Sequence, residues 1–383
     1  MAHVLILGGG FGGLAAADTL RGLLDDGDSI TLVGRSDHFY MGFAKLWDLG
    51  GMRPLDEGTA SLRGLEGRGI RFLQSEIRAV DPEARTVETA EGSLSADALL
   101  VALGAGFAPA HLDLLAGENA HNLYDGAALP AMKSDLAGLQ EGRVVVSILG
   151  GPFQCPPAPY EAVLIVDELL RERGVRDRVE LALTTPQPIT LPAAGVDASA
   201  YVAEHLAGQD IELLTEHPVA GVEDGTLRFA DGSDLDYDLL LGVPASALPP
   251  VLGDSALAAP SGWIQPDRHT LATGFARVYA VGDCTLVPTA TAQLPKAGVF
   301  AAGEAEVAAR NIAADLNGGE AARFDGHGSC FLEVPGRRVA MVQGDFYATP
   351  EPDVELTEAS EESFRAKQAF ERDRLDAWLG PGS

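Results

Sequence analysis

The chain contains three cysteines, at positions 155, 284 and 330, and their thiols are its most reactive side chains. They are too few and too widely spaced for a disulfide framework or a zinc site, so each is interpreted from its own neighbourhood. Cys155 precedes a helix predicted to begin near Pro157, and the positive end of a helix dipole favours the nucleophilic thiolate. Cys284 directly follows Asp283 and is interpreted as a packing residue. No His or Cys pair has metal-ligand spacing, and we predict no metal site.

A glycine-rich turn near the N-terminus has the spacing GxGxxG, directly after a predicted strand and at the start of a predicted helix. In that context the glycines allow a tight turn, close approach of the backbone to a pyrophosphate and packing of the helix on the strand. The turn residues predicted to contact the pyrophosphate are Gly8, Gly10, Phe11, Gly12 and Gly13. The acid expected at the end of the second strand is replaced in the segment Val33-Gly34-Arg35, which weakens the predicted ribose contact.

Predicted strands and helices alternate in two separate units, which indicates two nucleotide-binding folds. The apolar runs that begin these units are His3 to Leu7 and Arg143 to Leu149. The predicted fold class is α/β, with two Rossmann-like nucleotide-binding domains, the first of them discontinuous, and a small C-terminal α+β domain. The predicted boundaries are 1–110 with 250–317 for the first domain, 111–249 for the second and 318–383 for the third. Pro335-Gly336 predicts a hairpin turn in the third domain.

The formal charge of the chain is −29, and only four of its 383 residues are lysines. Such a surface repels nucleic acid and anionic lipid, so we predict no nucleic-acid partner. No basic N-terminal segment with a cleavage site and no uncharged apolar run of membrane-spanning length is found, which predicts neither a signal peptide nor a transmembrane segment. We expect a cytoplasmic protein; peripheral attachment to a membrane and formation of a homo-oligomer both stay open.

Three further stretches resemble motifs of FAD-binding flavoproteins with two dinucleotide domains. They are Ala96 to Gly106 (ADALLVALGAG), Arg277 to Cys284 (RVYAVGDC) and Leu294 to Ala302 (LPKAGVFAA). The resemblance implies that Asp283 binds the ribityl hydroxyls of FAD and that Lys296, at the start of a helix, lies near the flavin pyrimidine edge. The remaining cofactor-binding residues that we predict are Arg35, Lys45, Ala102, Gly104, Gly282 and Ala297. No cysteine precedes position 155, so FAD is expected to be non-covalent.

The loop of the second nucleotide unit reads Gly150-Gly151-Pro152-Phe153-Gln154-Cys155-Pro156-Pro157-Ala158-Pro159-Tyr160-Glu161. Its prolines remove backbone donors, so a dinucleotide is expected to bind poorly. The segment resembles the Cys-Pro-x-x-x-Tyr-Glu signature of flavocytochrome c sulfide dehydrogenases and sulfide:quinone oxidoreductases. In those families this cysteine lies over the flavin, and a second redox cysteine precedes an aromatic residue, as Cys330 precedes Phe331.

The resemblance implies a catalytic site made of Cys155, Cys330 and Glu161. The two cysteines would form a disulfide that hydrosulfide attacks; one cysteine would keep a persulfide and the other would pass two electrons to the flavin. Glu161 is the candidate for proton handling.

Three functions remain in competition. The preferred one is FAD-dependent oxidation of sulfide or a related small sulfur substrate, with a quinone or another acceptor taking the electrons. The first alternative is an NADH:quinone-type dehydrogenase or disulfide reductase, and the second is a flavin-based redox sensor or binding protein. The C-terminal segment Ser363 to Leu379 lacks a clean apolar stripe, so we expect it to pack on the protein or at a subunit interface.

Overall fold

The computed structural model describes residues 1–380 of the chain. Its first sheet has five parallel strands, in the spatial order Val278–Ala280, Ala98–Val101, His3–Leu7, Ser29–Gly34 and Arg71–Gln74. The strand at one edge comes from far along the chain, as a discontinuous first domain requires. Two helices pack against each other beside this sheet, Phe11–Leu23 (the first helix) and Gly298–Asn317 (the long helix).

The second sheet also has five parallel strands, in the order Ala120–Asn122, Leu239–Val243, Gly142–Ile148, Val179–Thr184 and Ile211–Leu214. Val, Ile and Leu dominate the central strands, as expected for strands that are covered on both faces. Ala158–Glu172 (the cysteine helix) packs against this sheet and buries most of its residues. Further helices are Ala44–Leu49, Pro109–Asp113, Leu129–Gly138, Gly195–Gly208 and Pro250–Gly253.

The structure also contains smaller antiparallel sheets. Two of them have three strands each, Ile77–Asp81 with Thr86–Thr89 and Gly92–Ser95, and Val219–Glu223 with Thr226–Phe229 and Asp234–Asp236. Two are strand pairs, His38–Tyr40 with Thr59–Ser61 and Gly106–Phe107 with Ser246–Ala247.

The C-terminal part is an antiparallel sheet of His327–Val334, Arg338–Asp345 and Asp353–Leu356. Its first two strands form the hairpin predicted at Pro335-Gly336, where Gly336 has a φ of 83°. The helix Glu361–Leu379 (the C-terminal helix) follows, capped by the Ser360 side chain. The predicted fold class is therefore confirmed, whereas the residue boundaries of the three domains stay a prediction.

The C-terminal helix packs on the body of the protein. Trp378 is 3% exposed and makes edge-to-face contacts with Phe11 of the first helix and with Phe39. Burial of one large apolar side chain contributes roughly 1.5–3 kcal/mol, so this contact helps to hold the last turn of the C-terminal helix beside the glycine-rich turn. Within residues 1–380, no helix combines the length and the apolar character needed to cross a membrane.

Candidate functional site

The glycine-rich turn has the geometry of a phosphate-binding loop. Gly8 has a φ of 110°, and a Cβ added there would lie 2.2 Å from the carbonyl oxygen of Ala102. A Cβ on Gly13 would lie 1.8 Å from the carbonyl oxygen of Gly8, so the helix can approach the strand only with glycine at this position. Backbone groups of Gly10 begin the first helix, which leaves its first N–H groups to face a ligand.

A cavity begins at this turn and extends between the two large sheets. Its wall contains Gly10, Phe11 and Gly12 of the turn, together with the predicted residues Lys45, Ala102, Gly104, Cys155, Gly282, Asp283, Lys296 and Ala297. Gly8 and Gly13 lie behind the wall and shape the turn. The structure thus brings residues from distant segments to one cavity, whose lining combines the phosphate-binding turn with the polar side chains of Asp283 and Lys296 that a flavin dinucleotide can use.

Arg35 lies apart from the cavity. Its side chain is exposed at the end of the second strand, and its carbonyl oxygen accepts a hydrogen bond from Gln74 Nε2 at 3.3 Å.

Lys45 lies in the wall of the cavity, where its Nζ donates to the carbonyl oxygen of Tyr124. Burial lowers the pKa of Lys45 to about 8, so this lysine can change charge near neutral pH.

Lys296 lies in the wall of the cavity, where backbone carbonyl groups hold its ammonium. Its Nζ donates to the carbonyl oxygens of Asp283 at 2.8 Å and Thr285 at 3.0 Å, and it lies 3.5 Å from the centre of the Trp263 ring. Burial lowers the pKa of Lys296 to about 8 and raises the pKa of the Asp283 carboxyl, which the Lys296 charge opposes. The ammonium therefore braces the Asp283 loop, and the backbone of Lys296 faces the cysteine.

Cys155 is held at the cavity by its backbone. Its N–H donates to the carbonyl oxygen of Lys296 at 2.7 Å, and its own carbonyl accepts from Tyr124 Oη at 3.3 Å. Its φ of 48° is unusual for a residue with a side chain. Burial, and then the Glu161 carboxylate, raise the pKa of Cys155 to about 12, although Lys367 and the N–H of Ala158 act in the opposite direction. The helix effect predicted from the sequence is present, but the net direction of the shift is reversed.

Cys330 lies on the first strand of the C-terminal sheet, paired with Val342. It packs against the core around the first helix, whereas Cys155 packs against the core around the cysteine helix. Both are free thiols. Burial, and then the charge of Cys155, raise the pKa of Cys330. Cys330 faces a second cavity, which shares Lys296 with the first.

Glu161 is buried in an ionic network that the sequence did not reveal. Its Oε1 accepts from Lys367 Nζ at 2.9 Å and from the N–H of Glu333 at 2.8 Å. Lys367 Nζ also donates to Glu333 Oε2 at 2.8 Å, and Trp47 Nε1 donates to the same oxygen at 2.8 Å. Burial raises the pKa of Glu161 while Lys367 opposes the shift; burial disfavours the charge on Lys367, but the two carboxylates raise its pKa overall.

Glu304 of the long helix is a second buried acid that sequence reasoning missed. It is 2% exposed, and its Oε2 accepts from the N–H of Gly282 at 2.7 Å, directly before Asp283. Burial raises the pKa of Glu304 to about 7. The only sequence signal for this burial is that Glu304 lies among small residues, on the face of the long helix that meets the first helix. An acid on a buried face needs a hydrogen-bond partner.

The fold and the site together define an oxidoreductase with two Rossmann-like domains around one cofactor cavity. Residues 2–305 match the family model of the pyridine nucleotide-disulphide oxidoreductases, and the chain belongs to this family. It is an FAD-dependent enzyme, because the family binds FAD, and the residues that line the cavity can hold that cofactor.

Named relatives lie at low sequence identity. The chain is 24% identical over 375 residues to the mitochondrial sulfide:quinone oxidoreductase of Mus musculus, a match that covers 91% of this chain and 79% of that protein. It is 22% identical over 349 residues to the type II NADH:quinone oxidoreductase of Staphylococcus aureus, with 84% of each chain covered. The crystal structure of the sulfide:quinone oxidoreductase from Aquifex aeolicus has the same fold, with a TM-score of 0.88 at 22% identity over 100% of this chain and 92% of that one.

Proposed function

We propose that this protein oxidises sulfide or a related small sulfur species and passes the electrons through FAD to a quinone or another acceptor. One observation carries the proposal. Cys155 stands in the wall of the cofactor cavity, in the loop where a pyridine-nucleotide enzyme needs backbone donors for its second dinucleotide. Prolines occupy that loop, so a thiol takes the place from which NADH reduces the flavin in such an enzyme.

Separate residues bind the cofactor and hold the site in shape. The glycine-rich turn holds the pyrophosphate of FAD without a covalent bond, and Asp283 orients the ribityl chain. Lys296 keeps the Asp283 loop in place through the two carbonyl contacts of its ammonium. When bound, FAD supplies a two-electron acceptor for the cysteine pair.

The sulfur chemistry requires an attack on a disulfide between Cys155 and Cys330. Hydrosulfide forms a new S–S bond with the Sγ of Cys330, the Cys155–Cys330 bond breaks, and Cys155 leaves as a thiolate. Cys330 then carries a persulfide, and the thiolate of Cys155 is left in the wall of the cofactor cavity. Glu161 accepts the proton that sulfide loses, because it lies in the first turn of the helix that follows Cys155 and Lys367 holds its carboxylate in position.

Replacement of each cysteine by serine tests this assignment. In Cys155→Ser and Cys330→Ser, sulfide-dependent turnover falls by about a thousand-fold or more while FAD stays bound, because neither variant can form the disulfide. Cys284→Ser is the matched control, since the Cys284 thiol is buried against the carbonyl oxygen of Val281. Full turnover in either of the first two variants rules out the disulfide mechanism.

The second candidate is oxidation of NADH, which the family and the NADH:quinone relative favour. One feature of the chain also favours NADH oxidation: the second cavity lies where a pyridine-nucleotide enzyme would bind its second dinucleotide. The test compares the two donors on the wild-type protein. If NADH reduces the flavin faster than sulfide does, NADH oxidation is supported over sulfide oxidation.

A further inference from the structure

The strand Ser29–Gly34 of the first sheet ends beside the glycine-rich turn. The carbonyl oxygen of Val33 accepts from the N–H of Gly8 at 2.8 Å, and a Cβ added to Gly34 would lie 3.6 Å from the backbone nitrogen of Gly9. In nucleotide-binding folds, an acid about 20 residues beyond the glycine-rich turn binds the hydroxyls of the adenosine ribose. Gly34 occupies that place in this chain, so the position that meets the ribose has no side chain.

The backbone at Gly34 has room for a side chain. Gly34 is buried and does not have a positive φ. A Cβ added there would lie 3.5 Å from the carbonyl oxygen of Ser36 and 3.6 Å from Cε2 of Phe72, which are ordinary van der Waals contacts. Neither backbone strain nor a close neighbour therefore requires glycine at this strand end. The loss of the acid changes the chemistry of the ribose position and leaves its shape intact.

Ser75 lies next to Gly34, directly after the neighbouring strand Arg71–Gln74. Its N–H donates to the carbonyl oxygen of Gly34 at 3.0 Å. Its side chain is buried at 7% exposure, and its Oγ has no hydrogen-bond partner among residues 1–380. A buried hydroxyl without a partner is unfavourable, so native proteins pair such groups with a ligand or a water molecule. A ribose hydroxyl at the end of these two strands supplies that partner.

Arg35 gives the same strand end a positive charge. Its side chain is exposed, and within residues 1–380 its guanidinium takes part in no ion pair. A guanidinium binds phosphate oxygens in a planar, bidentate geometry. Nucleotide-binding folds that take a 2′-phosphorylated ribose carry an arginine near this position instead of the acid. The pair Gly34-Arg35 has this pattern: the carboxylate is missing and a free cation follows.

We propose that Gly34, Arg35 and Ser75 form a ribose subsite that accepts an adenine dinucleotide with a phosphate on its ribose 2′-oxygen as well as one without. The Ser75 hydroxyl binds the ribose and the Arg35 guanidinium binds the phosphate. Gly34 determines this specificity, because a carboxylate at position 34 would repel the phosphate. A 2′-phosphorylated adenine nucleotide therefore competes with FAD for the first nucleotide-binding fold. The inference is independent of the donor, since it concerns the adenosine end of the site.

The test is a competition on the full-length holoprotein. Two probes that differ only in the 2′-phosphate, ADP-ribose and 2′-phospho-ADP-ribose, are titrated against the bound FAD. The FAD that passes an ultrafiltration membrane is measured by its fluorescence, which gives the concentration of each probe that releases half of the cofactor. The variants are Gly34→Glu, which restores the acid, and Arg35→Ala. Gly34→Ala is the matched control, because it adds a Cβ at the same position without a charge.

Ser75→Ala tests the hydroxyl separately. Because the Ser75 Oγ has no partner within residues 1–380, its removal breaks no hydrogen bond of the described protein. The Kd of FAD, measured by equilibrium dialysis of the holoprotein, is expected to rise by about five-fold, as for the loss of one hydrogen bond. An unchanged Kd contradicts the role given to Ser75.

In the wild type, the phosphorylated probe is expected to release FAD at a concentration equal to or below that of ADP-ribose. In Gly34→Glu the ratio of the two concentrations shifts by about ten-fold or more against the phosphorylated probe, while Gly34→Ala keeps the wild-type ratio. Arg35→Ala shifts the ratio by about three-fold in the same direction. General damage to the fold weakens both probes together and leaves the ratio unchanged. An unchanged ratio in Gly34→Glu, or a wild type that rejects the phosphorylated probe, overturns the inference.

Discussion

At the scale of single residues, Cys155 combines a strained backbone with a half-buried thiol in the cavity wall. A residue with a side chain at a φ of 48° costs of order 1–3 kcal/mol unless its surroundings fix it, and such residues cluster at functional sites. Here the contacts of its backbone with Lys296 and Tyr124 hold it. Burial raises its pKa to about 12, so a resting thiol is protonated at neutral pH. Reaction through a disulfide avoids this difficulty, because the thiolate is released as the leaving group.

Glu304 gives a prediction of pH dependence at the same scale. Its pKa is about 7 in the folded protein and 4.5 in an unfolded chain, so between these values the folded state holds the extra proton. The contribution is complete below pH 4.5 and is lost as the pH rises to about 7, and it amounts to about 3 kcal/mol in the free energy of unfolding. We expect Glu304→Gln to remove this part of the slope, as measured by urea unfolding at several pH values. A slope identical to that of the wild type would contradict the assignment.

At the scale of elements, one buried lysine joins three of them. Lys367 of the C-terminal helix binds Glu161 of the cysteine helix and Glu333 of the C-terminal sheet, and its side chain is 1% exposed. The aromatic rings of Phe43 and Trp47 lie beside its ammonium. The C-terminal helix is thereby fixed to the helix that follows Cys155.

Lys367→Met should destabilise the protein by about 3–5 kcal/mol, because it leaves two buried carboxylates without their cationic partner. The matched control is the double variant Lys367→Met with Glu333→Gln, which removes one of the two stranded charges and recovers part of the loss. Thermal unfolding of the holoprotein measures both effects. A single variant as stable as the wild type would show that the network contributes nothing to the fold.

At the scale of the whole molecule, the parts that local sequence patterns determine could be predicted. The alternation of strands and helices, the glycine spacing and the Pro-Gly turn act over short distances in the chain, and they predicted both parallel sheets and the C-terminal hairpin. Cys155 and Cys330 were predicted as a redox pair from the resemblance of their neighbours in the chain to family motifs, and both their reactivity and their pairing stay a proposal.

The parts that depend on tertiary packing could not be predicted. Glu161, Glu333 and Lys367 are far apart in the chain, and each is an ordinary charged residue of an amphipathic element until the fold encloses them together. The predicted direction of the Cys155 pKa shift was wrong for the same reason. The helix dipole is a local effect, whereas desolvation comes from the surrounding protein. The orientation of Lys296 toward Trp263 is likewise a long-range contact.

The most direct test of the central claim is an anaerobic titration of the purified yellow protein, with sulfide in one sample and NADH in another, followed by the visible absorbance of the flavin. The account predicts rapid bleaching by sulfide, with a long-wavelength charge-transfer band between the Cys155 thiolate and the flavin, and little bleaching by NADH. Bleaching by NADH alone would contradict it, because the proline-rich loop would then bind the dinucleotide that it is proposed to exclude.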